Sequence, residues 1–328
     1  MGRRTQTAGR SHPRLIQQQH THLVKLCCHI VLWLCLTGLA ASDARGSGLP
    51  PPRIPSDNPL TVAKAALGEQ LFNDTRLSID QTYSCASCHQ PDRHFTDGLP
   101  RAINMYGEQL RFNTPTLYNV AYNSSYGWTD QGVLSLEAQH SGPLFNTTPV
   151  EMGFSAASLA QLQADDTYPQ LFEAAFGERR INSDLITRAL ASYVRSIRHP
   201  ASAFDDLLFN DNRNALSADA NAGMDLFFSA ELGCSHCHAA LTFSGPISHA
   251  LVQTAPAFHV TGVSGSTTAF RAPTLRAIAH TAPYMHDGSL QSLAQVLNFY
   301  QHSAAENVPE FSLTDQQTKQ LIAFLKTL

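Results

Sequence analysis

The chain has 328 residues, of which 43% are hydrophobic and 15% charged, and its formal net charge is −4. The apolar content is ample for buried cores and the length suits two domains of ordinary size, which excludes a fibrous or disordered protein. No long basic run occurs in the body of the chain. We therefore expect a protein or small-molecule partner and no nucleic acid.

The first 41 residues differ from the rest of the chain. Four arginines between residues 3 and 14 precede an apolar stretch around residues 30–36 and then a run of small residues near Ala41. This order is typical of a secretory signal peptide, so we predict export to the periplasm with cleavage near Ala41. An uncleaved membrane anchor is the alternative, but Lys25 and His29 leave the apolar run shorter than the roughly 20 residues of a spanning helix.

Beyond residue 41, three segments have the spacing of helices. Residues 60–72 place apolar side chains on one face, residues 181–197 form an amphipathic pattern that stops before Pro200, and residues 315–328 form a last helix. No alternating run is long enough for a large sheet, so we predict a mainly α fold with long connecting loops. The loops between residues 95 and 153 are the expected place of the active site.

The cysteines beyond residue 41 all lie in two Cys-x-x-Cys-His motifs, at residues 85–89 and 234–238. Two thiols at this spacing can bond the two vinyl groups of one haem, and the adjacent histidine then reaches the iron. Zinc sites and disulfides are the alternatives, but two such motifs with no cysteine left over favour haem. We therefore predict two covalently bound haem c groups, held by Cys85, Cys88, His89, Cys234, Cys237 and His238.

A weak internal duplication relates the helical segments before the two haem motifs, because residues 68–72 and 223–227 share the pattern Gly-x-x-Leu-Phe. This repeat predicts two cytochrome c-like haem domains. We place a peroxidatic domain at residues 42–200 and an electron-transfer domain at residues 201–328. The last helix is a candidate to pack on the first domain.

These motifs resemble the bacterial di-haem cytochrome c peroxidases and their relatives of the MauG type. The resemblance spans residues 60–328 and rests, besides the haem motifs, on Phe95-Thr96-Asp97-Gly98, residues 113–120, Glu151-Met152, residues 273–276 and residues 282–288. It implies an oxidoreductase in which the first haem reacts with hydrogen peroxide and the second transfers electrons. Residues 126–153 look most similar to the MbnH-like branch, whose members oxidise a tryptophan on a partner protein.

The resemblance also implies roles beside the first haem. Glu151 matches the family's distal glutamate, which would take a proton from peroxide and return it to the leaving oxygen. Gln139 matches the glutamine that orients peroxide. Ordinary peroxidases of this group hold a removable histidine on this haem, but residues 104–110 contain none, so we expect an open first haem. His94 and Met105 are the nearby residues that could contradict this.

At the second haem, Tyr300 stands where ordinary di-haem peroxidases have a methionine and MauG-type proteins have a tyrosine. Tyrosinate favours ferric and higher oxidation states, so the resemblance implies oxidising equivalents shared between the haems. Met285 is the competing ligand. Trp128 matches the tryptophan between the haems of the family, although it could serve packing alone.

A calcium ion lies between the haems in this family. The matching positions are the side chain of Asn113 and the carbonyl oxygens of Thr281 and Pro283, and oxygen ligands suit this hard cation.

Three functions follow as hypotheses. The first is a periplasmic di-haem peroxidase that reacts with hydrogen peroxide and oxidises an aromatic residue, such as tryptophan, of a docked protein. The second is a cytochrome c peroxidase that takes electrons from a small redox protein. The third is a non-catalytic electron carrier, which would need a sixth protein ligand on the first haem.

Overall fold

The computed structural model describes residue 2 and residues 48–239, 241–245, 258–303 and 309–328. The predicted signal peptide and its cleavage site lie outside these residues, apart from Gly2. Within the described ranges, no helix is long and apolar enough to cross a membrane.

Helices dominate the described part of the chain, and the prediction of a mainly α fold is confirmed. In chain order the helices are α1 (Val62–Asn73), α2 (Cys85–Cys88), α3 (Leu136–Phe145), α4 (Ala156–Gln163), α5 (Tyr168–Phe176), α6 (Ser183–Ser196), α7 (Ala203–Asn210), α8 (Ala218–Phe227), α9 (Cys234–Cys237), α10 (Leu293–His302) and α11 (Asp315–Leu325). A two-stranded antiparallel sheet joins β1 (Phe258–Val260) to β2 (Ala269–Arg271), with His259 opposite Phe270.

Polar caps set the ends of the three helices that the sequence predicts. Helix α1 begins two residues later than the apolar pattern, because the Thr61 side chain accepts a hydrogen bond from the Lys64 amide. Asn182 caps α6 through the Leu185 amide in the same way. Helix α11 begins where predicted, after the cap Thr314, and ends at Leu325.

Two helix crossings repeat the same contact between a glycine and a backbone carbonyl. Helix α1 packs on α6, where a Cβ added to Gly68 would lie 2.0 Å from the Ala189 oxygen. Helix α8 packs on α11, where a Cβ on Gly223 would lie 1.9 Å from the Gln320 oxygen. The two glycines are the ones that the internal duplication aligns, so this weak repeat in the sequence corresponds to a repeated helix pair.

The buried apolar side chains form two clusters. The first is drawn from residues 67–197 and the second from residues 204–328. The last helix contributes Leu321, Phe324 and Leu325 to the second cluster. In the same region the fully buried Arg276 forms an ion pair with Asp205, with a nitrogen–oxygen distance of 2.8 Å.

Candidate active site

The first Cys-x-x-Cys-His motif forms the short helix α2, which is followed by His89. The Nδ1 atom of His89 lies 3.1 Å from the carbonyl oxygen of Phe95. Because a carbonyl only accepts hydrogen bonds, Nδ1 carries the proton and donates it, which leaves the lone pair of Nε2 for a metal. Burial lowers the pKa of His89, so the ring stays neutral as a ligand must.

The second motif has the same construction. The Nδ1 atom of His238 lies 3.0 Å from the carbonyl oxygen of Phe243, and burial again lowers the pKa of the ring. In each half a Pro-Thr pair holds the loop that carries the accepting carbonyl. Thr116 donates to the oxygen of His94 at 2.7 Å, and Thr274 donates to the oxygen of Thr242 at 2.5 Å.

The four described cysteines form no disulfide. Burial raises the pKa of Cys85 and of Cys88 to about 12, and that of Cys234 to about 11. These thiols are therefore protonated and paired beside a histidine, which is the donor set that covalent haem attachment requires.

One cavity is lined by the two cysteines and the final histidine of the second motif and by both residues predicted as the second ligand of its haem. Cys234, Cys237, His238, Met285 and Tyr300 all contribute to its wall. Burial raises the pKa of Tyr300, and the two thiols raise it further, so the phenol lies close to the motif.

A half-buried cation lines the same cavity. The Arg271 guanidinium donates to Ser244 at 2.8 Å and to the Gly127 oxygen at 3.3 Å, and burial lowers its pKa to about 10. No carboxylate pairs with it among the described residues. The residues fit haem, because its propionates would supply the missing negative charge. Sequence reasoning missed Arg271, although it lies only two residues before the segment 273–276 that the resemblance used.

The structure brings Glu151 to the first motif. Its carboxylate raises the pKa of both Cys85 and Cys88, so it lies near the two thiols. Backbone hydrogen bonds of Met152 to Pro143 and Ile79 hold this segment in place. Burial raises the pKa of Glu151 itself, and the Asn146 amide, which donates to its Oε1 atom at 3.3 Å, opposes that shift.

Gln139 lies on helix α3, with its Oε1 atom 3.2 Å from the position of a Cβ on Gly127. The predicted distal glutamine therefore contacts the loop that carries Trp128.

His140, the next residue on α3, was missed in the sequence. Its Nδ1 atom lies 2.6 Å from the Leu136 oxygen, and burial lowers its pKa to about 4. The charge of His89 lowers this pKa further, which places the two rings near each other. The available signal was the adjacency of His140 to Gln139, a residue that the resemblance placed beside the first haem. Residues 95–153 were predicted as loops, and helix α3 within them brings His140 to this site.

Trp128 and the three predicted calcium ligands also line the second-haem cavity. The Trp128 indole donates to the Asn113 carbonyl at 3.1 Å. Asn113, Thr281 and Pro283 share the cavity wall, and the Asn113 amide nitrogen donates to the Leu99 oxygen at 2.8 Å. The side-chain oxygen of Asn113 is thus the atom suited to a cation.

His94, one of the two residues that could oppose an open first haem, stacks on His280. The ring centroids lie 4.6 Å apart and the rings are nearly parallel. Met105, the other, lies in an exposed hairpin that spans residues 102–112.

Comparisons with known proteins agree with this geometry. Residues 62–213 match the family model described as di-haem cytochrome c peroxidase. The chain is 35% identical to the methylamine utilization protein MauG of Methylorubrum extorquens, over 89% of this chain and 85% of that protein. It is 31% identical to cytochrome c551 peroxidase of Nitrosomonas europaea, over 88% of this chain and 86% of that protein.

Among solved structures, a MauG-like protein associated with microbial copper homeostasis superposes with a TM-score of 0.77 at 32% identity. The match covers 88% of this chain and 95% of the solved one.

Proposed function

The chain belongs to the di-haem cytochrome c peroxidase and MauG family, and from this premise we propose that it oxidises an aromatic residue of a partner protein with hydrogen peroxide. As a member of this family it is a peroxidase-type oxidoreductase with haem as its cofactor. We further propose that the electron donor is a protein that docks on this chain. Both proteins would lie in the periplasm, to which the signal peptide at residues 1–41 would direct this chain.

The observation that carries this assignment is the position of Tyr300. The phenol lines the same cavity as His238, and burial raises its pKa. His238 and Tyr300 would together hold the iron of the second haem, with the phenol losing its proton on binding. A tyrosinate ligand would stabilise oxidised iron and so would lower the reduction potential of the second haem, which would favour storage of oxidising equivalents there.

At the first haem, which supplies the iron that binds peroxide, we assign the proton transfer to Glu151. Its half-buried carboxylate near Cys85 and Cys88 supports this role, since a raised pKa brings a carboxyl group closer to the working pH of a general base. Gln139 on α3 is assigned to orienting the peroxide by hydrogen bonding.

We assign Trp128 to the path between the haems and a calcium ion to the wall beside it. The hydrogen bond from the indole to Asn113 fixes the ring at the edge of the second-haem cavity, and Asn113, Thr281 and Pro283 offer oxygens at that edge.

Electron paramagnetic resonance of the ferric, haem-loaded chain tests the proposal, followed by stoichiometric peroxide without prior reduction. We expect one high-spin and one low-spin haem and an immediate optical change with peroxide. Two low-spin haems that react only after half-reduction would contradict it. Replacement of Glu151 by Gln should slow the peroxide reaction and leave the two spin states in place.

Peroxide reduction with electrons from a small redox protein is the second candidate. It is favoured by Met285, which lines the same cavity as His238, and by the relative named cytochrome c551 peroxidase. Under this alternative, Tyr300→Phe leaves the low-spin signal unchanged and Met285→Leu removes it.

A further inference from the structure

Residues 99–112, here called the 99–112 loop, form a closed hairpin. The Ala102 amide donates to the Phe112 oxygen at 3.2 Å, and the Leu110 amide donates to the Ala102 oxygen at 2.7 Å. At the tip, the Asn104 side-chain oxygen accepts from the amides of Tyr106 and Glu108. Residues 104–110, which lack the histidine of ordinary di-haem peroxidases, therefore belong to a hydrogen-bonded surface hairpin.

Apolar side chains point outward from this hairpin. Tyr106 is 58% exposed, Leu99 39% and Ile103 38%. Single exposed apolar residues are ordinary, but three within eight residues of one ordered loop form a patch, and such patches mark interaction sites.

The same loop is cationic within an acidic chain. Arg101 and Arg111 form no ion pair with the residues that the structure describes. Glu108, the single carboxylate of the segment, accepts a hydrogen bond from Asn104 at 3.0 Å. The two guanidinium groups are thus available to carboxylates of a partner.

Aromatic contacts lead from the loop to the second-haem cavity. The Arg111 guanidinium lies over the Phe112 ring, 5.0 Å from its centroid. The Phe112 centroid lies 6.1 Å from that of Trp128 and 6.4 Å from that of His286. Trp128 and His286 both line the cavity that Tyr300 lines.

We propose that the 99–112 loop docks the protein substrate, and that the matching surface presents an aromatic side chain surrounded by carboxylates. The inference rests on the proposed function and names its docking site and partner chemistry. Each hydrogen peroxide that is reduced to two waters takes up two protons and two electrons. The partner's aromatic ring, docked against Phe112, supplies both electrons. It takes up one water and releases two protons, so the oxidised ring carries one more oxygen atom and the protons balance those that peroxide consumes.

Two synthetic peptides test this on the haem-loaded full chain. One carries a single tryptophan flanked by glutamates, and the other carries the same tryptophan flanked by lysines. Peptide oxidation with peroxide is followed by mass spectrometry, and the readout is the ratio of kcat/KM for the acidic peptide to that for the basic one. Because both kcat/KM values are measured on the same enzyme preparation, their ratio does not depend on the fraction of the enzyme that carries haem.

We expect the unmodified chain to favour the acidic peptide by roughly tenfold at low salt, with the preference lost as ionic strength rises. The double variant Arg101→Glu, Arg111→Glu should reverse the ratio, and the neutral pair Arg101→Gln, Arg111→Gln should bring it near one. The control Arg213→Glu, at an exposed arginine whose distance to Asp211 is 3.4 Å, should keep the ratio of the unmodified chain.

A ratio that is the same in the double variant and in the unmodified chain overturns the docking site. Guaiacol with peroxide separates this result from a failure of the proposed function. Guaiacol oxidation combined with an unaltered ratio rejects only the 99–112 loop. If neither guaiacol nor peptide is oxidised, the peroxidase function itself is rejected.

Discussion

The Cα atom of Gly68 lies against the carbonyl oxygen of Ala189, so closely that a Cβ would stand 2.0 Å from that oxygen. Helices α1 and α6 therefore touch backbone to backbone, and the haem motif that follows α1 is positioned by this contact. Gly223 makes the equivalent contact with Gln320 ahead of the second motif.

Gly68→Ala should destabilise the chain by about 2–3 kcal/mol, because the helices must separate to admit the methyl group. Gly142→Ala is the matched control, since this helical glycine has no atom within 4 Å of an added Cβ. It should be neutral or should stabilise the helix by up to about 1 kcal/mol. Denaturant unfolding of both variants measures the difference in their free energies of unfolding. Equal unfolding midpoints would contradict the close contact between α1 and α6 at Gly68.

Asp205→Asn should cost about 3–5 kcal/mol, because it leaves the Arg276 guanidinium buried without its counter-charge. The side chains of this pair are 2% and 0% exposed. Glu173→Gln removes the exposed pair with Arg179, which should change the free energy of unfolding by less than about 1 kcal/mol. Thermal unfolding of the two variants compares the buried pair with the exposed one. An equal loss of stability in both variants would contradict the prediction.

The peroxide reaction should lose rate with falling pH at a pH above 4.5, the ordinary pKa of a glutamate. Burial raises the pKa of Glu151, and only its ionised form accepts a proton, so protonation switches the base off. Asn146→Ala removes the hydrogen bond that lowers this pKa and should move the acid limb to higher pH. Glu151→Gln should slow the reaction roughly 100-fold or more and abolish the limb. An unchanged pH profile in Glu151→Gln would assign the proton transfer elsewhere.

Tyr300→Phe should convert the second haem from low spin to high spin, because the ring can no longer supply an oxygen ligand. Met285→Leu is the control at the same cavity and should leave the low-spin signal in place. Electron paramagnetic resonance of the ferric variants distinguishes the two ligands. The reverse pattern would favour the cytochrome c peroxidase alternative.

Calcium should raise the Tm of the haem-loaded chain by several degrees, since a ligand at 100 times its Kd adds about 2.7 kcal/mol to the folded state. Asn113→Ala should remove most of this shift. Asn73→Ala, at an exposed asparagine that donates to the Glu69 oxygen, should retain it. The cation site would be rejected if calcium and a chelator gave the unmodified chain the same Tm.

The sequence predicts the parts that local chemistry determines. The haem motifs follow from the spacing of cysteine and histidine, and the helices follow from apolar periodicity and a polar cap such as Thr61. Gly68 and Gly223 are visible in the sequence as a repeat, and the structure adds the backbone carbonyl that each of them contacts.

Other parts depend on chain paths that no local pattern encodes. The acceptors of His89 and His238 are backbone carbonyls, which any residue at positions 95 and 243 would supply. The nearness of His140 to His89 depends on how α3 packs. Asn146 meets Glu151 only because the chain turns sharply between them, with an isolated bridge from Thr147 to Val150.

The proximal hydrogen bonds of His89 and His238 also limit where the two haems can differ. Both rings donate to a backbone carbonyl, at 3.1 and 3.0 Å, so as ligands the two histidines would offer their irons a similar electron density. Under the proposed assignment, the difference between the two haems therefore originates at their other ligand positions, with Glu151 beside the first haem and Tyr300 beside the second. On this assignment, a single substitution at a position such as 151 or 300 would change whether a haem reacts with peroxide or transfers electrons, with no change to the helices that hold it.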